Sequence, residues 1–225
     1  MHPLHEVLVA AAHGRFPAVD GQVEVMAPDA ARHCAVVELT GHSFVLTELP
    51  AGEVLARGAD GFGGASSPDL LRWLAGPGGW IGSHDAVLVA TGTGAGPSGL
   101  RVRHDLDDHP RVVRSRRHRR DVDVYGDDAG LVTVGRGLVD RLELSVELLP
   151  AVAHGGRAGR RLVAAGLGVV PAGELVWAQV APGNAASLRA FLSCGFVPIG
   201  AETLFSPAPA ARRSAAGPAP PSTRD

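Results

Sequence analysis

Three groups of residues have types and spacings suited to chemistry. The first is the turn His154-Gly155-Gly156-Arg157-Ala158-Gly159-Arg160-Arg161, which opens a helix. The leading N–H groups of a helix lack intrahelical partners, and the helix dipole adds partial positive charge there. Glycine lets an anion reach those donors and arginine adds charge, so the turn reads as a seat for a phosphorylated group. The second group is Gly183-Asn184, opening another helix that ends at Cys194-Gly195-Phe196. Asn184 can cap that helix, and Gly195 suits its C-terminal position. The third is the arginine cluster Arg111, Arg114, Arg116, Arg117, Arg119 and Arg120. It reads either as a solvated helix face paired with Asp121, Asp123 or Asp127, or as a site for a carboxylate or phosphate.

The elements that must hold these residues follow from periodicity. Residues 142–149 alternate, with Leu142, Leu144, Val146 and Leu148 on one face and Glu143, Ser145 and Glu147 on the other, the period of a half-buried strand. A helix runs from about Gly156 to before Pro171, with Leu162, Gly166 and Val169 along one side. A strand over 175–180 follows, then a helix with Leu188, Phe191 and Leu192 at core spacing, then a strand over 197–205. A strand-helix-strand unit implies two parallel neighbours in one sheet. Upstream, Pro110 starts an arginine-rich helix to about Arg119, and 121–125 with 131–134 form a hairpin.

The first part of the chain yields a short helix at 4–12, a strand at 23–26 and a hairpin of 35–39 and 43–49. A glycine-rich loop spans 58–67, a Ser67-capped helix follows with Pro68 in its first turn, and 86–90 is a strand. Residues 91–99, rich in Gly, Pro and Ser, read as a flexible linker and the best boundary. The chain therefore divides into an α+β region at 1–98, a second domain at 99–205 and a disordered Ala/Pro/Arg-rich tail at 206–225.

Composition excludes several classes. The chain has 225 residues, 45% hydrophobic, enough for a sizeable core, and a net charge of −2, which gives no case for nucleic acid or an anionic membrane. Every basic residue is arginine, so Schiff-base and Walker-type lysine chemistry is ruled out. Cys34 and Cys194 are the only cysteines, so neither a disulfide framework nor a cysteine-based zinc site is expected. His104-Asp105-Leu106-Asp107-Asp108-His109 has ligand-type residues without a metal-ligand spacing, so no metal is expected. No signal peptide or membrane span is legible, which makes a cytoplasmic protein the expectation. Gly94-Ala95-Gly96-Pro97-Ser98-Gly99 matches the dinucleotide fingerprint, but no amphipathic helix follows it, as that motif requires. Ser83-His84-Asp85 is no triad, because adjacent side chains cannot converge.

Over about 108–205 the chain resembles the GNAT superfamily of acyl-CoA-dependent N-acyltransferases. Against the family's Arg/Gln-x-x-Gly-x-Gly/Ala loop, His154 stands at the Arg/Gln position, Arg157 at the first glycine and Gly159 at the last. Asn184, Ser187 to Phe191 and Gly195-Phe196 are similar to the family's Asn-x-x-Ser/Ala…Gly-Phe signature. The resemblance implies an α/β fold of mixed α+β character. Its central mixed sheet is flanked by helices, and its parallel strands at 142–149 and 175–180 splay apart. The pantetheine arm of acetyl-CoA would enter the gap and bond to backbone at Val146 and Leu148. The diphosphate would rest on Gly155, Gly156, Arg157, Ala158, Gly159 and Arg160, with Asn184 contacting the arm or the acyl end.

Acyl transfer needs a neutral amine, and a lysine-like amine at pH 7 is short of that by roughly 4–5 kcal/mol. Glu143 and Glu147 share the strand face expected beside the thioester, and either could take the proton. Arg111 and Arg114 would line the acceptor site, and the acceptor is expected to be a small-molecule or protein amine. Phe191 stands where many family members carry a tyrosine acid, and the single tyrosine, Tyr125, lies on another strand. A thiol with a pKa of about 8.5 leaves tolerably as thiolate. The alternatives are a non-catalytic acyl-CoA binder and an NAD-dependent enzyme using residues 94–99. Oligomeric state is left open, a homodimer included. The 1–98 region is expected to supply an edge strand or a cover for the acceptor cleft, or to be a degenerate copy of the same fold.

Overall fold

The computed structural model describes residues 1–149 and 156–208. Its strands are β1 (Val23–Met26), β2 (Cys34–Leu39), β3 (His42–Leu46), β4 (Trp80–Thr91), β5 (Arg101–Val102), β6 (Arg120–Gly126), β7 (Gly130–Arg136), β8 (Leu142–Leu148), β9 (Leu175–Val180) and β10 (Val197–Ser206). The helices are α1 (Pro3–Ala12), α2 (Ala51–Leu55), α3 (Pro68–Ala75), α4 (Pro110–His118), α5 (Gly156–Val169) and α6 (Ala185–Leu192).

These strands make one mixed sheet in the order β1-β3-β2-β10-β4-β9-β8-β7-β6-β5. The fold is mixed α/β, a large sheet with helices on both faces. Strand β4 lies between β9 and β10 and is antiparallel to both. The first part of the chain thus supplies one edge of the sheet, β1, and also an interior strand, β4.

Alternation along the strands divides the side chains between two faces. On one face, Leu88 of β4, Leu144 of β8 and Val176 and Ala178 of β9 pack with Leu162 and Val163 of α5 and Phe191 of α6. Leu142, Val146 and Leu148 join them, as the strand pattern predicts. Gly166 of α5 permits this approach: a Cβ there would come within 2.5 Å of Leu144 Cδ1 and 3.1 Å of Val132 Cγ1. The other face carries α1 over Val87, Val89 and Trp177, and α4, whose Val112 packs on Val124 and Leu131.

Capping residues act as their types predict. Ser67 Oγ accepts from the Leu70 N–H at 3.4 Å, and Asn184 Oδ1 from the Ser187 N–H at 3.0 Å. Three expectations need correction. Leu192 is 46% exposed and leaves the core to Phe191. Helix α2 falls where no helix is predicted. Residues 91–99 are no free linker, because the N–H groups of Thr93, Gly94 and Gly96 donate to the carbonyls of Leu167, Val170 and Gly168. The glycines there allow close approach: a Cβ on Gly92 would meet Val170 Cγ1 at 2.4 Å. After them comes β5 rather than a helix, so the dinucleotide fingerprint lacks its structural context. Of the predicted tail 206–225, Ser206 completes β10 and 209–225 lie outside the described residues.

Candidate functional site

Strands β8 and β9 run parallel but form a single bridge, Glu143 opposite Trp177, among the described residues. Beyond it they part toward their C-terminal ends. The β9-facing edge from Leu144 to Leu148 has no ladder partner there, although β7 pairs along the other edge of β8 from Gly130 to Arg136. Such an edge is an open set of backbone donors and acceptors. The predicted contacts at Val146 and Leu148 lie on this stretch.

Two helix starts follow the diverging ends. Helix α5 begins at Gly156, after β8, and Asn184 caps α6, after β9. Among the described residues, no carbonyl outside α5 accepts from the N–H of Arg157, Ala158 or Gly159. Arg157 and Arg160 are exposed, whereas Arg161 is paired with Asp127. Gly155 and His154 lie outside the described residues. The Asn184 side-chain oxygen is engaged as the cap of α6.

Next to the gap, on the face carrying α4, is a polar cavity of about 100 Å³. Arg111, Arg114, His118 and Arg119 line it from the α4 side, Glu143 and Ser145 from β8, Gln179 from β9, Ser83 and Asp85 from β4, and Glu202 from β10. The structure brings Glu143, Arg111 and Arg114 together around this cavity, and Glu147 joins them through a 2.6 Å ion pair with Arg111. Arg119 spans the gap itself. It donates to Glu143 Oε2 at 2.7 Å, to Ser145 Oγ at 3.4 Å and to Gln179 Oε1 at 3.1 Å.

Beneath the cavity lies an ion network. Arg141, fully buried, donates to Glu143 Oε1 at 2.9 Å and to Glu202 Oε1 at 2.7 Å. Glu143 thus has both oxygens engaged by guanidinium groups. Burial alone would push its carboxyl up, but Arg141 and then Arg119 outweigh burial and hold it below the usual range. Glu202 differs: burial dominates, Arg141 offsets it only in part, and the charges of Glu143 and Asp85 push the same way as burial, so its pKa is raised. Asp85 is also raised by burial, against the opposing charges of Arg114, His84 and Arg111. Burial, with the charges of Arg114 and Arg117 next, pushes His118 down.

Asp85, Arg141, Gln179 and Glu202 are the members of this site that sequence reasoning missed. One signal was available. Glu202 is a carboxylate inside a mostly apolar strand run, and Asp85 directly precedes the apolar run 86–90; an acidic residue at such a place implies a buried partner. A larger cavity of about 620 Å³ lies between α1, the 29–33 turn and the 137–140 turn. It includes no residue of β8 or β9, but His118 and Arg119 line it as they line the smaller cavity.

Phe191, at the expected tyrosine position, is buried edge-on against Phe196, their ring centroids 4.9 Å apart. Cys194 packs at the helix end, its thiol donating to the Arg160 carbonyl at 3.4 Å. Among the described residues there is no cluster of metal-ligating side chains, and no helix is long and apolar enough to cross a membrane.

No protein-family model matches the chain, and no curated protein matches it. Solved structures similar to it include an acetyltransferase assigned to the GNAT family from Novosphingobium aromaticivorans, at 20% identity and a TM-score of 0.38, covering 59% of this chain and 69% of that one. A GCN5-related N-acetyltransferase from Kribbella flavida aligns at 15% identity and a TM-score of 0.36, over 60% of this chain and 62% of that one. A conserved protein of unknown function from Staphylococcus epidermidis aligns at 13% identity and a TM-score of 0.37, over 62% of this chain and 67% of that one.

Proposed function

We propose that the chain is an N-acyltransferase that moves an acetyl group from acetyl-CoA to a primary amine, carried by a small molecule or a protein, by direct attack on the thioester. The observation that carries this reading is the parting of β8 and β9 after one bridge. A polar arm that bonds like a strand needs such an open edge, and a diphosphate needs N–H donors and cations like those at the start of α5. Val146 and Leu148 would hold the arm, Gly156 to Arg160 the diphosphate, and Asn184 the acyl end. Arg119, which crosses the gap to Ser145 and Gln179, would then lie between the thioester and the acceptor cavity.

In this reading Glu143 orients Arg119 rather than accepting a proton, since both its oxygens are bonded to arginines. Glu147 is drawn toward Arg111 in the same way. The test is thiol release from acetyl-CoA with a panel of amines. Amine-dependent release by the wild type, reduced by Arg119→Gln, supports the assignment. A second reading, a non-catalytic acyl-CoA binder, is favoured by the buried Phe191 at the tyrosine position. Tight CoA binding with no thiol release on any amine would decide for it.

A further inference from the structure

The charges around the acceptor cavity do not all cancel internally. Arg119 is paired with Glu143, Arg111 with Glu147, and Arg141 with Glu143 and Glu202. Two charged side chains lining the cavity have no hydrogen-bond or ion-pair partner among the described residues: Asp85 on β4 and Arg114 on α4. The two line the same cavity, and Arg114 is the charge that most opposes the upward shift of the Asp85 carboxyl. A third group is open. Glu202 is 2% exposed, lines the cavity, and its Oε2 has no partner. Asp85 and Glu202 are register partners on β4 and β10, which puts their side chains side by side on one face.

A buried acceptor oxygen without a donor costs about 1–3 kcal/mol, and a bound ammonium group would satisfy it. A guanidinium beside it is shaped for a carboxylate. A space of about 100 Å³ suits a compact ligand. We propose that the acceptor is a small amino acid-type zwitterion, its ammonium on Asp85 and Glu202 Oε2 and its carboxylate on Arg114, with Asp85 taking the proton that frees the amine.

The proton-transfer step rests on the acyl-transfer reading; the seat itself does not. Asp85 takes one proton from the ammonium and passes it to water. The neutral nitrogen attacks the thioester carbonyl carbon, an N–C bond forms, and the C–S bond breaks with its electron pair leaving on sulfur. The second nitrogen proton ends on that thiolate, giving amide and thiol. The raised Asp85 carboxyl narrows the gap to the amine it deprotonates. It faces Arg111, Arg114 and His118 from α4, Glu202 from β10, and His84 on its own strand.

The test begins without acyl-CoA. Calorimetric titration with glycine, L-alanine and L-serine is compared with L-alaninamide, which lacks the carboxylate, and L-lactate, which lacks the amine. At least one amino acid should bind, with both controls about tenfold weaker or more. Arg114→Gln should abolish the preference over the amide, and Asp85→Asn the preference over lactate, with melting temperature unchanged. With acetyl-CoA present, Asp85→Asn should lower kcat/KM by about 10²–10⁴-fold and remove the acid limb of its pH profile. Equal binding of alanine and alaninamide, no binding of any amino acid at millimolar concentration, or an unchanged profile in Asp85→Asn would overturn the proposal. Binding with these preferences but no thiol release would support the seat and overturn the acyl-transfer reading.

Discussion

The two faces of the central strands are built from different materials. Under α5 and α6 the sheet presents Leu88, Leu144, Val176 and Ala178, side chains that need nothing but close neighbours. Under α4 the same strands present Asp85, Glu143, Ser145 and Gln179, and each needs a specific partner. The apolar face gains stability in proportion to the area it buries. The polar face bears desolvation costs that its ion pairs only partly offset. Apolar packing suffices to hold a sheet together, so a buried Arg141 between two glutamates calls for another reason. In the proposed function that reason is the cavity above it, where a fixed charge pattern would hold a ligand.

Replacing Arg141 tests the comparison most severely. Arg141→Met should destabilise the fold by about 3–5 kcal/mol, because it leaves Glu143 and Glu202 buried without their shared cation. Denaturant unfolding measures this. The quadruple variant Arg119→Met, Arg141→Met, Glu143→Leu, Glu202→Leu sharpens it, because Arg119 is the other cation on Glu143. Replacing a whole buried ionic group with apolar residues is often neutral or stabilising, so stability should return while amine-dependent thiol release does not. Recovery of both would show that the network serves packing alone.

On the apolar face the expected effect is smaller and purely structural. Gly166→Val forces methyl groups into Leu144 and Val132 and should cost about 1–3 kcal/mol. Acetyl-CoA affinity per folded molecule should be unchanged, read by titration below the melting transition.

The mildest effect belongs to the Asp29–His33 pair, at the rim of the polar face. His33 Nδ1 lies 2.8 Å from Asp29 Oδ2, and Nε2 lies 3.1 Å from the His118 carbonyl. Burial opposes charge on His33, but the Asp29 hydrogen bond and charge outweigh burial and raise its pKa above 6.5. Asp29, despite burial, is held below 3.8 by His33. The histidine contribution is whole below pH 6.5 and is lost as pH rises through the folded value. The aspartate contribution is whole above pH 3.8 and is lost as pH falls through its own folded value. His33→Gln should therefore lower the unfolding midpoint most between these limits and progressively less above them. A difference constant from pH 4 to pH 9 would contradict the pairing.

Much of the second half was legible because its signals are local. The alternation of 142–149 needs only the two-residue period of a strand, and Ser67, Asn184 and Gly195 announce helix ends by their own chemistry. What stayed hidden is non-local. Nothing in the run around Val87 says that β4 will lie between β9 and β10. Without that insertion, Asp85 and Glu202 cannot be seen as neighbours of Glu143. Arg141 was overlooked because an arginine before a strand ordinarily faces water. The glycines of 91–99 signal freedom when read alone, yet here they serve close contact with the end of α5.

Backbone amide hydrogen exchange with and without acetyl-CoA tests the opening between β8 and β9 most directly. The account predicts that acetyl-CoA slows exchange in β8 from Ser145 to Leu148 and in the first turn of α5 from Arg157 to Arg160, while β1 and β3 exchange as before. Unchanged exchange in both segments at millimolar acetyl-CoA would contradict it.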